Sequence, residues 1–344
     1  LVSPRVVQRG TIDSTGSAAL VAAEEVTVTV RPTGLFDIAF VVGTGDANGV
    51  VHEGTTGGPT KTPADPAGRG YVTAIPKAQA MQMLLGGTLG FEADTASVQG
   101  NGAVILSSGY NVANGTQQFV FNPASTADMA ITSQAAPARI TSVLSAAAQR
   151  SLTINARAAE VQLAEDSFLY GQNGIEVQAE GANALVAEKN LAFQSDDLIR
   201  FTHANRPADA ATVIATDLLV SSDGNIVGEQ GSRAEARRDL FVQSFQQSVT
   251  FDEVVAGDDI EIIGGAGNDT LAPIDAVTIT RGIATGLGPD NEGDGSNIRI
   301  SASDQANLQD LSAVDTIAVR ATGGNLPLAG FIDGTGKLAA GGTI

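Results

Sequence analysis

The 344-residue chain contains no cysteine and no tryptophan. Without Cys there can be no disulfide and no thiolate-ligated zinc site. Aromatic residues make up only 4% of the chain, and its tyrosines are Tyr71, Tyr110 and Tyr170. A large globular core draws much of its buried area from rings, so a core built here from Ala, Val, Leu and Ile must be thin and extended. Lysine is almost missing, confined to Lys61, Lys77, Lys189 and Lys337. With 38 acidic against 19 basic side chains the formal net charge is -19, which argues against nucleic acid or an anionic membrane as a partner. No continuous apolar run approaches the roughly 18 residues of a spanning helix, so membrane insertion is not expected. No phosphate-loop or dinucleotide-type glycine pattern leads into a helix.

What is present is 43% apolar residues and 40 glycines, arranged as short apolar or alternating runs separated by turn residues. That is the pattern of many short strands. The block from Gly10 to Val30 offers Ile12, Leu20, Val26, Val28 and Val30 as inward candidates, and a related phrase returns from Ala96 to Val112. From about residue 138 the beat becomes regular, with runs such as Leu152–Asn155, Ile175–Gln178, Leu191–Phe193, Leu240–Val242, Ile260–Ile263 and Ile317–Val319. Strand starts about 7 to 15 residues apart fit two or three strands per coil of roughly 20 to 25 residues. Stacking the coils lets each backbone pair with its neighbours at about 4.8 Å, giving about 15 coils over about 70 Å. Up-and-down barrels and tandem sandwiches are the alternatives, and sandwiches would call for aromatic anchors that this chain lacks.

The expected organisation is a β-solenoid over 1–125 carrying an excursion at 43–70, and a continuing solenoid over 126–344 with an acidic loop at 282–295. Residues 203–211 form a third, shorter loop. Helical periodicity is weak throughout; 77–85 reads as strand or loop, and 145–150 as a helical turn or a coil edge. Leu1–Val7 reads as strand and Leu338–Ile344 as part of a turn-and-strand pattern, so the chain is expected to be an interior segment of something longer.

Residues Leu1–Asp13 (LVSPRVVQRGTID), Ala19–Val28 (ALVAAEEVTV), Gly34–Phe40, the 54–59 loop, Val72–Leu84 and Val104–Val112 resemble the coil phrases of filamentous-haemagglutinin-like exoproteins. The resemblance is to the large two-partner-secretion type of sphingomonad-like alphaproteobacteria and covers roughly residues 1–115. It implies a right-handed parallel β-helix, exported through an outer-membrane transporter and serving as an adhesin or surface fibre. The family's secretion domain would lie further N-terminal.

One motif carries defined metal chemistry. Gly264-Gly265-Ala266-Gly267-Asn268-Asp269-Thr270-Leu271-Ala272 matches the nonapeptide of calcium-binding β-rolls, in which turn carbonyls and the Asp carboxylate hold Ca²⁺ between successive turns. Gly265, Gly267 and Asp269 are therefore the candidate ligating positions. Asp259, in Gly257-Asp258-Asp259, is a weaker one because it stands one residue out of register. The bland reading is a Gly-rich bend, and no cofactor is required.

The carboxylate doublets Asp196-Asp197, Asp252-Glu253 and Asp258-Asp259 are weak evidence for a catalytic pair, since neighbours on a strand point to opposite faces. Glu24-Glu25 reads as a bend. His52 and His203 are the only imidazoles and have no partners in a recognisable triad or zinc pattern. Asn155, Asn173, Asn183 and Asn190 fall near bends, where amide ladders can form.

These observations lead to a non-enzymatic expectation: a segment of a secreted or cell-surface fibre acting in adhesion, cell-cell contact or biofilm matrix. Its partners would be a host or neighbouring-cell surface, a glycan or other matrix component, and the export transporter. A β-helix polysaccharide lyase or glycosidase is one alternative. Self-association into a polymerising extracellular filament is another.

Overall fold

A computed structural model describes residues 1–14, 16–32, 35–57, 69–74, 83–90, 103–113, 116–119, 128–134, 136–265, 276–287, 296–321 and 332–340. The described residues are all-β, without a helix. They form two compact units, Leu1–Asn173 and Gly174–Ile344. The fold is the expected parallel β-solenoid: each unit is built from parallel ladders in which a strand pairs with its counterparts in the adjacent coils.

In the first unit, one ladder runs through Val6–Gln8, Val50–His52, Met83–Leu85, Met129–Thr132 and Ser151–Ala156. A second runs through Thr11–Asp13, Thr55–Gly57, Thr88–Leu89, Ala138–Ile140 and Val161–Leu163. A third joins Val2–Ser3, Ala18–Ala22, Arg69–Ala74, Ala103–Ser108, Val143–Ala148 and Ser167–Gly171. Residues 145–148, one of the helix candidates, are therefore strand. In the last coils Met129 faces Leu152, Ala138 faces Val161 and Leu144 faces Ser167, a step of about 23 residues. Inward side chains stack into columns such as Leu20, Val72, Leu106, Ala146 and Leu169, all nearly inaccessible to solvent.

The expected excursion at 43–70 needs correction. Within it, Val50–His52 and Thr55–Gly57 are coil strands, paired on both sides; 58–68 lies outside the described residues. The excursion that the structure describes starts earlier. Glu25–Val30 and Phe36–Val42 form an antiparallel hairpin, and Tyr110–Ala113 and Thr116–Phe119 complete a four-stranded antiparallel sheet. Alternation along the third ladder explains why it stays on the coils. While Leu20, Val72 and Leu106 point inward, Val21, Tyr71 and Ile105 point out and form a second core with Ala23, Ile38 and Val112. Phe36 packs against Tyr71 with ring centroids 5.7 Å apart. Val28 and Val30, read from sequence as inward, belong to the edge strand of this sheet and are exposed.

In the second unit the first ladder contains Gly174–Glu180, Ile199–Ala204, Ile226–Gly228 and the start of Val249–Ala256. The second contains Leu185–Ala187, Val213–Ala215 and Arg233–Ala236, which pairs with the end of Val249–Ala256. From there the two ladders share single long strands, Ala276–Ala284 and Gln305–Ala321. The third ladder runs Leu191–Ser195, Leu218–Ser222, Leu240–Ser244, Ile260–Gly264 and Ile298–Ala302, then reaches the end of Gln305–Ala321 and Ile332–Ala340.

Ala215, Ala236, Ala256, Ala284 and Ala313 stack as one buried column of small side chains. Three phenylalanines meet at one place. Phe201 meets Phe193 edge-on and Phe251 in a tilted pair, each at 5.6 Å between centroids. Phe201 lies opposite Gly228, whose missing side chain leaves room for the Phe251 ring to reach across the intervening coil.

Candidate functional site

The calcium candidates divide. Gly267 and Asp269 lie outside the described residues. Gly265 follows the strand Ile260–Gly264 with a positive φ of 66°, a conformation glycine adopts without strain, and its N–H donates to the Gln247 carbonyl at 3.0 Å. Asp259 sits at a bend with its carboxylate engaged. Oδ1 accepts from the backbone N–H of Asn297 at 2.8 Å and from its side-chain amide at 3.0 Å, and Oδ2 meets Arg299 at 3.2 Å.

Asp259 is one step of a column that the register builds just before the third ladder: Asn190, Asp217, Asp239, Asp259 and Asn297. Each aspartate accepts from the backbone of the following coil, Asp239 N–H to Asp217 at 3.5 Å and Asp259 N–H to Asp239 at 3.2 Å. Burial, opposed by the bond from the Asp259 backbone and reinforced by the charge of Asp217, raises the Asp239 carboxyl above its ordinary range. Arg238 relieves the repulsion by gripping Asp217 with both of its fork nitrogens. Of the asparagines expected near bends, Asn155 Oδ1 accepts the Arg157 N–H at 3.1 Å, while Asn190 opens this column, which is otherwise mainly aspartate. Its signal was present as Asp217-Leu218-Leu219-Val220-Ser221-Ser222 and Asp239-Leu240-Phe241-Val242-Gln243-Ser244. The serines closing those phrases also act at bends: Ser222 Oγ donates to the Asp197 carbonyl, and Ser244 Oγ to the Gly224 carbonyl at 2.8 Å. Among the described residues no three His, Asp or Glu side chains are grouped to hold a metal ion.

The other doublets are likewise divided between separate tasks. Asp252 accepts from the Gly231 N–H at 2.8 Å. Glu253 is buried, with Arg206 at 2.9 Å, Arg281 at 3.0 Å and Arg233 at 3.8 Å around it. Burying a carboxylate costs several kcal/mol unless it is paired, and three guanidiniums supply the pairing. Arg206 also donates to the Ala210 carbonyl at 2.9 Å, so the loop is fastened to the body through Glu253; it spans 205–211, because His203 and Ala204, expected within it, end the strand Ile199–Ala204. The loop turns at Asn205, whose φ of 54° suits an asparagine.

Both imidazoles are packed and hydrogen-bonded. His52 Nδ1 donates to the Gly86 carbonyl at 2.8 Å, which leaves Nε2 to accept from the Thr56 hydroxyl at 3.0 Å. His203 exchanges the two nitrogens: Nε2 donates to the Gly181 carbonyl at 2.9 Å, and Nδ1 accepts from the Thr212 hydroxyl at 3.1 Å. Burial lowers the pKa of each, against the pull of its carbonyl partner.

A surface groove that the sequence did not signal lies on the outward side of the third ladder in the second unit. Three adjacent strands contribute three residues each: Glu261–Ile263, Arg299–Ser301 and Ala318–Arg320. Ile262, Ile300 and Val319 are buried, so their backbones form the floor. Register sets the walls. Glu261, Arg299 and Ala318 align on one side, and Ile263, Ser301 and Arg320 on the other. The volume is about 290 Å³. Arg299 is shared with Asp259, whereas Arg320 is exposed and has no ion-pair partner among the described residues.

No protein-family model, no curated protein and no solved structure matches the chain.

Proposed function

We propose that this chain is a structural and adhesive segment of a large secreted or cell-surface bacterial fibre. It works outside the cell in adhesion, cell-cell contact or biofilm matrix, and it has reached that location through an outer-membrane transporter. The observation that carries the reading is the antiparallel sheet seated on the third ladder of the first unit by its own core of Val21, Ile38, Tyr71, Ile105 and Val112. A stack of coils that devotes a second core to holding an accessory sheet on its flank is a display platform, and platforms suit multivalent contact. The filamentous-haemagglutinin-like origin belongs to the same proposal and rests on the coil phrases of residues 1–115.

Beads coated with the purified chain should adhere to bacterial cells or their matrix more than beads coated with albumin. Equal adhesion of the two kinds of bead would overturn the reading. A second reading, an enzyme acting on acidic polysaccharide, is favoured by the groove that sets Glu261 beside Arg299 and carries Arg320 on its far wall. Release of new reducing ends or unsaturated products from a polyuronate by the purified chain would replace the first reading with the second.

A further inference from the structure

We infer that the groove between Glu261–Ile263, Arg299–Ser301 and Ala318–Arg320 binds a carboxylated saccharide, a chain of uronic-acid residues lying along the stacking direction. The inference deepens the adhesive reading by naming the chemistry of a glycan partner, and it rests on that reading for its biological setting.

The groove runs across the strands, between two ladders of outward side chains, so an extended ligand meets the same wall positions at every coil. Its two arginines stand on opposite walls and in adjacent coils. Arg320 pairs in register with Ser301, and Arg299 with Ala318, so the two arginines are diagonal neighbours across the groove, Arg299 held by Asp259 and Arg320 exposed. In a chain of net charge -19 an exposed guanidinium with no described acidic partner is a local attraction for an anion. The remaining lining suits a sugar and not a simple ion. Ile263 and Ala318 offer apolar surface to the C–H faces of a ring, while Glu261 and Ser301 offer an acceptor and a hydroxyl for its hydroxyl groups. A volume of about 290 Å³ stands at the small end of organic-ligand sites. Glu261 beside Arg299 disfavours a densely charged polyanion, which would meet a carboxylate on the same wall.

The test is calorimetric titration of the full chain with a galacturonate oligomer, with maltohexaose as the neutral comparator and dextran sulfate as the densely charged one. The galacturonate oligomer should bind, more weakly as salt rises, and maltohexaose should not. R320A should weaken binding about tenfold or more, and R320K, which keeps the charge but loses the planar fork, should weaken it less. Unchanged binding in R320A, equal binding of maltohexaose, or no binding of the galacturonate oligomer would each overturn the inference. Dextran sulfate binding as tightly as the oligomer would overturn the assignment to carboxylates. Arg320 is exposed on a strand, so unchanged circular dichroism should accompany the substitution. The bead assay separates the two proposals: coated beads that fail to adhere while the oligomer still binds refute the fibre reading and leave the groove standing.

Discussion

Gly228 shows how one missing side chain organises a core. A Cβ placed there would come within 2.5 Å of the Phe251 ring and 2.8 Å of Ser232 Oγ, both on buried residues. G228A is therefore expected to destabilise the second unit by about 2 kcal/mol through overpacking, read as a lower urea midpoint. Combining it with F251L should cost less than the sum of the two single changes, because the smaller side chain vacates the contested space. Strict additivity would show that the ring and the glycine are not coupled.

His52 sets a pH dependence of known sign. Its pKa is lowered by burial from the ordinary 6.5. Above that value neither the folded nor the unfolded state holds the proton. As pH falls below it, the unfolded chain is protonated first and stability is lost progressively down to the lowered folded value. Urea midpoints should accordingly fall between pH 7.5 and 5.5, and H52Q, which can still bond Gly86 and Thr56, should flatten the first unit's share of that fall. An identical slope in H52Q would remove His52 as its source.

Among the elements, the antiparallel sheet of the first unit has an energetic identity of its own. Ile38 is fully buried, faces Val112 across the strands and belongs to the second core. I38D places an unpaired carboxylate there, a penalty of several kcal/mol set against packing that the coils do not use for their own ladders. Amide exchange should lose protection at Glu25–Val42 and Tyr110–Ala113 while Met129–Thr132 and Val143–Ala148 keep theirs. Loss of protection in all of these would show that the sheet and the coils form one cooperative unit.

The same elements show what the sequence made legible. Ladder strands from Leu152 onward announce themselves because their alternation persists, although the step between paired residues varies from 19 at Ile298–Ile317 to 38 at Ile260–Ile298. Val50–His52 and Thr55–Gly57 were hidden inside a Gly- and Pro-rich span, since strands of three residues draw their stability from neighbours on both sides and not from local propensity. Val26, Val28 and Val30 do alternate, but alternation states that a face is buried and not which sheet buries it. The groove was invisible for a related reason: Arg299 and Arg320 belong to different coils, and only the register brings them to one place.

At the scale of the whole molecule, the excess of acidic over basic residues outweighs the few well-paired sites. Asp217 and Glu253 have arginines, but 38 acidic side chains share 19 basic ones. Self-repulsion of that size is screened within about 10 Å at 0.1 M salt. Thermal midpoints should therefore rise as sodium chloride is raised from low concentration to 0.3 M. A falling midpoint would mean that the arginine pairs dominate the electrostatics.

The ladders also have a mechanical consequence. Their backbone bonds point from coil to coil, so tension along the stacking direction pulls directly on them, with the bonds of one coil sharing the load and successive coils acting as links in series. Such an assembly yields at its narrowest link. In the second ladder of the first unit that link is Thr88–Leu89, where two residues alone face Thr55–Thr56 on one side and Arg139–Ile140 on the other. Under load this ladder should part first beside that short strand, lengthening by one coil at a time and turning a steady pull into a series of small, separately recoverable steps.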